Sequence, residues 1–246
     1  MKIKSDEEIK YMTKGGHILK IILDKLKNET KIGVTEYELD NISRELCRQY
    51  KVIPAFLGYK GYPKSLCISV NDTVVHGIPS SYKIVNSDVV SLDFGIIYKG
   101  LYLDSATSFQ VGDKNDIVTE FLSIVKKSML SGLRSARDGV RVGDISYAME
   151  SVVDQNKYGI VKELTGHGIG YRLHEDPFIP GYGNKKEGIL IKKGMTLAIE
   201  SMINFGGDKV IFLDDGWTVK TKDHSISGHF EHTILVTDGD PKILTA

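Results

Sequence analysis

Asp93 and Asp104 sit in SLDFG and LYLDS, on either side of Lys99-Gly100. Lys-Gly between two apolar runs reads as a two-residue hairpin turn. The register it sets pairs Tyr98 with Leu101 and places Asp93 opposite Ala106. Asp104 then lies two residues along the partner strand on the same face, a diagonal neighbour about 7–8 Å away at the backbone. At that separation both carboxylates can converge on metal ions. Their neighbours are apolar, where an unpaired charge is costly. Taken alone, each acid reads more readily as a turn cap or as the partner of a surface lysine, and only the two on one face balance that reading.

Three further segments supply more of the same chemistry. Gly166-His167-Gly168-Ile169-Gly170 sets a histidine among glycines, where backbones can approach closely. His174-Glu175 follows seven residues after His167, an odd separation that puts the two histidines on opposite faces of a regular strand. The glycines must therefore re-aim one of them if they share a site. Glu200 in LAIESM and Glu231 in HFEHTILV are acids inside strand-like runs. Each alone is ordinary, a hydrogen-bonded core histidine or a structural ion-pair partner, but the coincidences together are improbable. Four carboxylates and an imidazole make a hard, oxygen-rich set suited to Mn, Fe, Co or Zn and poorly matched to thiolate-loving structural zinc. Two such ions roughly 3.5–4 Å apart clamp a hydroxide and lower its pKa, which is the chemistry of amide or phosphate-ester hydrolysis. No Walker loop, GxSxG elbow or Rossmann fingerprint competes with this set.

The elements that must position these residues are legible in outline. Ser5 with Glu8, and Thr35 with Glu38, read as capping boxes. Behind them Ile9, Met12, Leu19, Ile22 and Leu26, then Leu39, Ile42 and Leu46, recur at helical spacing. A third helix is expected from about Asn115 to Arg137 and a fourth from Asp144 to about Asn156. Val89 to Tyr98, Leu101 to Phe109, Met195 to Phe205 and Phe230 to Val236 read as strands. Paired helices with antiparallel strands suggest an α+β domain whose helices cover one side of a curved sheet. The joints Gly33-Val34 and Gly139-Val140 resemble each other, which leaves internal duplication and chance both open.

The chain has 246 residues, 41% hydrophobic and 26% charged, with 32 basic against 32 acidic side chains. That composition is globular, and the zero balance speaks against a broad basic surface for nucleic acid. Cys47 and Cys67 form no CxxC pattern, the N-terminal stretch lacks an apolar signal core, and no apolar run approaches the roughly 20 residues of a membrane span. A soluble protein of the reducing cytoplasm, with no membrane partner, is expected.

Asn71-Asp72-Thr73-Val74-Val75-His76-Gly77-Ile78-Pro79, the Asp93/Asp104 spacing, GHGIGYRLHEDP, TLAIESM and DGWTVKTKD…FEHT closely resemble the type I methionine aminopeptidase family, in order and over nearly the whole chain. The resemblance implies the pita-bread fold: α+β, pseudo-twofold, a single catalytic domain over 1–246 with halves of roughly 1–110 and 111–246, and a curved antiparallel sheet covered by two pairs of helices. It implies two divalent ions (Co, Mn, Fe or Zn), with Asp93 chelating one, His167 and Glu200 holding the other, and Asp104 and Glu231 bridging. A hydroxide between the ions would attack the carbonyl after the initiator methionine, with Glu200 as proton acceptor. His174 would hydrogen-bond the scissile amide and His76 would assist the leaving amine. Phe56, Tyr59, Tyr62, Cys67, Leu173 and Trp217 match the methionine pocket, where sulfur-aromatic contacts suit a thioether. Without the family, Tyr59 and Tyr62 are ordinary loop aromatics and Trp217 a core residue. Asn71, Thr73 and Ser227 match a site for Na or K in some members.

Phe56 and Leu173 depart from the small residue and the aromatic often found there, exchanging bulk between two positions, and Leu164 and Gly181 depart from the common histidine signature. The implied substrates are peptide N-termini carrying methionine before a small second residue. A monomer is expected, with transient ribosome contact the one macromolecular partnership left open. Two other readings remain: an X-Pro peptidase, whose usual N-terminal domain has no room in the roughly 70 residues before His76, and a non-catalytic module that keeps the fold.

Overall fold

The computed structural model describes residues 3–154 and 157–246. Its helices are α1 (Asp6–Glu29), α2 (Glu36–Tyr50), α3 (Asp116–Ser135) and α4 (Val142–Glu150). The strands in chain order are β1 (Ile53–Pro54), β2 (Cys67–Val70), β3 (Thr73–Val75), β4 (Val89–Tyr98), β5 (Leu101–Gln110), β6 (Gly159–Ile160) and β7 (Thr165–Gly168). They continue as β8 (Glu175–Pro180), β9 (Thr196–Asn204), β10 (Val210–Phe212), β11 (Val219–Thr221), β12 (Ser227–Leu235) and β13 (Lys242–Ile243).

Side-chain caps set the helix starts. Ser5 Oγ accepts from the Glu8 amide while the Glu8 carboxylate accepts from the Ser5 amide, and Thr35 and Glu38 close the same reciprocal pair. Asn115 Oδ1 accepts from the amides of Ile117 and Val118 to start α3. Helix α4 begins two residues before the expected Asp144, because Asp144 serves as the third residue and accepts from the Arg141 amide at 2.8 Å. It ends at Glu150, ahead of Ser151-Val152-Val153, whose residue types are weak helix formers. The expected end near Asn156 lies outside the described residues.

Among the described residues ten strands make one antiparallel sheet, seven along the path β1-β4-β5-β12-β9-β7-β8 with β2 added on β4, β6 on β9 and β13 on β12, and β10-β11-β3 form a small second sheet. Period two then assigns the faces. Val90, Leu92, Phe94 and Ile96 of β4 pack under Met12, Leu19 and Ile22 of α1 and Leu39 of α2. Leu197, Ile199 and Ile203 of β9 and Phe230 and Ile234 of β12 pack under Phe121, Val125 and Met129 of α3 and Ile145 of α4. The residues in between (Asp93, Glu200, Glu231) project from the other face.

The two joints between paired helices are built alike. Gly33 (φ 91°) and Gly139 (φ 83°) both take the left-handed turn that favours glycine. Gly33 donates to Ile84 O and Ile84 to Val34 O, and in the second joint Gly139 donates to Ile191 O and Ile191 to Val140 O. Between the strands these joints lead to, β5 and β12 share only two paired positions, against nine for β12 with β9 and ten for β4 with β5. Hydroxyls complete that seam. Thr233 Oγ1 accepts from the Asp104 amide and donates to its carbonyl, and Ser105 Oγ donates to Glu231 O.

Candidate metal centre

Strand register gathers the ligand-type side chains into two adjoining rows. Lys99 (φ 53°) and Gly100 (φ 80°) make the tight turn, pairing Tyr98 with Leu101 and Asp93 with Ala106, as the hairpin reading required. Ala106 pairs onward with Glu231, and Glu231 with Glu200, so one row runs Asp93–Ala106–Glu231–Glu200. The next row starts at Asp104, hydrogen-bonded to Thr233. Thr233 pairs with Ala198 and Ala198 with His167. Asp104 thus stands diagonal to Asp93, as His167 does to Glu200. Ligand atoms of Asp104, His167 and Glu231 all lie within 4.8 Å of one another.

His167 is seated by a close backbone approach. A Cβ on Gly166 would stand 2.6 Å from Ala198 O, so only glycine lets β7 lie this tightly on β9. The His167 Nδ1–H donates to Gly168 O at 2.9 Å, which leaves the Nε2 lone pair free, 4.0 Å from Glu200 Oε1. The odd spacing to His174 is resolved by a turn rather than a re-aimed side chain. The chain leaves β7 at Gly168, and His174 immediately precedes β8, with the two imidazole centroids 4.3 Å apart. The Tyr59 hydroxyl and His174 Nδ1 share a hydrogen bond at 2.9 Å. Burial, with His167 alongside, pushes the His174 pKa down to about 4, which favours the neutral ring. His76 occupies a left-handed conformation (φ 57°) just after β3, its ring edge-on to Trp217 at 6.2 Å.

Four acids in so small a volume perturb one another. Burial, reinforced by Asp104 and Glu200, holds Asp93 well above the usual carboxylate range. Burial together with Asp104 does the same to Glu231, and burial with the Glu200 charge brings Asp104 to about 7. Burial would also raise Glu200, but the His229 hydrogen bond and the surrounding imidazoles outweigh it and leave Glu200 below its ordinary value. Asp93 Oδ1 and Glu231 Oε1 are buried without a hydrogen-bond partner. Buried acceptors left bare beside two further acids and a free imidazole lone pair are what a divalent cation would satisfy. The residues present therefore fit one.

All thirteen side chains expected to bind metal or substrate line a single cavity of about 340 Å³. The acids and His167 form one end. Phe56, Tyr62, Cys67 and Leu173, all buried, with Tyr59 and Trp217 packed on them, form an apolar wall. Tyr62 meets Trp217 edge-on at 5.1 Å, and Leu164 also borders the space. The expected monovalent set stands elsewhere. Asn71 and Thr73 line a separate polar cavity, while the Asn71 amide is engaged with Asp88 and Val89 and Ser227 Oγ bonds to Asn204. Among the cavity residues that the sequence reading did not single out are His229 and Met202. Each lies two positions from an acid on the same strand (Glu231 and Glu200), so period two was the signal available for both.

Among the described residues no helix is long and apolar enough to cross a membrane. Residues 10–238 match Metallopeptidase family M24. A methionine aminopeptidase of Clostridium perfringens is 40% identical over 99% of this chain and 98% of its own length. The methionine aminopeptidase 1 of Bacillus subtilis is 40% identical with similar coverage. The crystal structure of the Thermotoga maritima methionine aminopeptidase superposes with a TM-score of 0.96 at 37% identity, covering 100% of this chain and 99% of that one. The prolidase of Pyrococcus horikoshii, at 23% identity and a TM-score of 0.74 over 63% of its length, shares the fold alone. That fold is the pita-bread α+β architecture. With the match running through Asp93, Asp104, His167, Glu200 and Glu231, and with relatives alike along the whole chain, the protein belongs to metallopeptidase family M24.

Proposed function

We propose that the protein is a metal-dependent aminopeptidase that removes N-terminal methionine from peptides and new proteins, preferring a small second residue. One observation carries the reading: metal-type ligands and an apolar, sulfur- and aromatic-lined wall share one cavity large enough for a single side chain. Asp93 would hold one divalent ion, His167 and Glu200 a second, with Asp104 and Glu231 between them. The ions are drawn from Mn, Fe, Co or Zn, which this donor set suits. Divalent ions so held supply Lewis acidity and bring water's pKa towards neutrality.

The chain's own residues do the rest. The wall of Phe56, Tyr59, Tyr62, Cys67, Leu173 and Trp217 takes the thioether side chain, excludes water and so sets the scissile carbonyl beside the acids. Glu200, kept ionised by its imidazole neighbours, accepts the proton of the attacking water. His174, a neutral imidazole, donates a hydrogen bond to the carbonyl oxygen as negative charge develops there. His76 contacts the substrate beyond the scissile bond and assists proton transfer to the leaving amine. The protein acts as a monomer in the cytoplasm, on emerging or released chains. The two buried free thiols, Cys47 and Cys67, support a reducing compartment. The matching helix joints support an origin of the domain in two related halves, roughly 1–110 and 111–246.

The test is release of methionine from Met-Ala peptides, lost on chelation and restored by Mn, Co or Fe, with Ala-Pro peptides as the competing substrate. Glu200→Gln should lower kcat at least about 100-fold, the lower end of a general base's contribution. Full activity of the metal-free protein, or cleavage of Ala-Pro in preference to Met-Ala, would overturn the reading.

A further inference from the structure

His229 stands in the centre with no part in the mechanism above beyond its hydrogen bond to Glu200. It lies on β12 two residues before Glu231 and pairs with Met202 of β9, so it is the diagonal neighbour of Glu200 on the ligand-bearing face. The residue is 2% exposed. Its Nε2 is 3.0 Å from Glu200 Oε2, while the other oxygen, Oε1, is the one that faces His167 Nε2 at 4.0 Å. An ionised carboxylate only accepts, so the His229 Nε2 must be the donor. His229 is itself locked at the backbone, since Ser108 Oγ accepts from its amide and donates to its carbonyl, both at 2.8 Å. Its Nδ1 is buried with no partner, so the Glu200 carboxylate is what the ring is held against.

We propose that His229 is a positioning residue of the metal centre: by donating to Glu200 Oε2 it holds that oxygen back and turns Oε1, on the His167 side, towards the ion. Glu200 so held would present Oε1 to an ion and keep a fixed orientation in the cavity. The inference rests on the proposed metal-dependent reading and adds to it a residue that acts through Glu200. Outer hydrogen bonds to metal ligands typically change affinity or activity 10–100-fold when removed, and Gln, whose side-chain amide reaches about as far as Nε2, should replace this one.

The experiment uses the whole chain as wild type, His229→Ala and His229→Gln. Each is titrated with Mn by calorimetry and loaded with Co for its visible ligand-field spectrum, and thermal melts of the metal-free forms check folding. His229→Ala should weaken binding at one of two sites 10–100-fold, change the Co spectrum and lower kcat with little change in KM, and His229→Gln should recover all three. Unchanged metal affinity and spectrum in folded His229→Ala would overturn the proposal. So would loss of one whole binding site that His229→Gln does not restore, which would make His229 a ligand. If wild type binds no metal at all, the proposed function itself fails and this inference falls with it. If neither variant folds, the role is structural, and the proposal is equally overturned.

Discussion

Asp104→Asn should stabilise the metal-free protein, and do so more at pH 8 than at pH 5. Burial and the Glu200 charge raise the Asp104 carboxyl from its ordinary 3.8 to about 7. Between those values the folded chain holds a proton that the unfolded chain has released, so stability falls as pH rises through the folded value. At pH 5 the difference costs under about 2 kcal/mol, and at pH 8 about 4 kcal/mol, taking 1.36 kcal/mol per pH unit of displacement. Wild type should therefore lose about 2–3 kcal/mol relative to the Asn variant between pH 5 and pH 8. For a chain of this size that is a relative shift in Tm of about 5–12 °C. Comparing two proteins removes the opposite contribution of His76, His167, His174 and His232. Burial lowers all four, so each favours the folded state as pH rises towards 6.5. The assay is thermal unfolding of both proteins in chelator at pH 5, 6, 7 and 8, repeated with saturating Mn. With metal the order should reverse, because the ion requires the ionised ligands that are otherwise a burden. A gap that does not change with pH, or a metal-free variant less stable than wild type at pH 8, would refute the reasoning.

Two further outcomes follow from single contacts. Gly166→Ala should cost about 1–3 kcal/mol in denaturant unfolding through overpacking against Ala198 O and should weaken metal binding in a calorimetric titration, since it forces the His167 strand off β9. Tyr59→Phe, which removes the hydrogen bond to His174 Nδ1, should lower kcat about 5-fold, the worth of one ordinary hydrogen bond, and leave metal affinity in the same titration unchanged.

Local information carried well from sequence to structure. The Lys99-Gly100 turn fixed one hairpin's register and hence the relation of Asp93 to Asp104, because a two-residue loop leaves no freedom in the pairing. Capping boxes at Ser5 and Thr35 marked helix starts to the residue. What stayed hidden was non-local. Nothing near Glu231 in the chain announces that β12 will lie between β5 and β9, so the alignment of Glu231 with Glu200, and with it the place of His229, could not be read. The close approach of His167 to His174 depends on a turn that local spacing cannot distinguish from a continuous strand. Short strands such as β1, β3, β10 and β11, of two or three residues, offer no period to detect. His76 takes its aim from a left-handed backbone that its residue type permits but does not demand. Chemical roles came from the family resemblance, which extends the local reading beyond what residue types alone supply.

The seam between β5 and β12 gives the ligand arrangement a mechanical meaning. Asp104 belongs to one side of it and Glu231 to the other, and only two paired positions and a few hydroxyls close it. Ions held between those two carboxylates would rivet the halves where the backbone ladder is thinnest. Catalytic competence and cohesion of the sheet would then depend on the same atoms. Losing metal would disarm the enzyme and loosen the join across its middle in a single event.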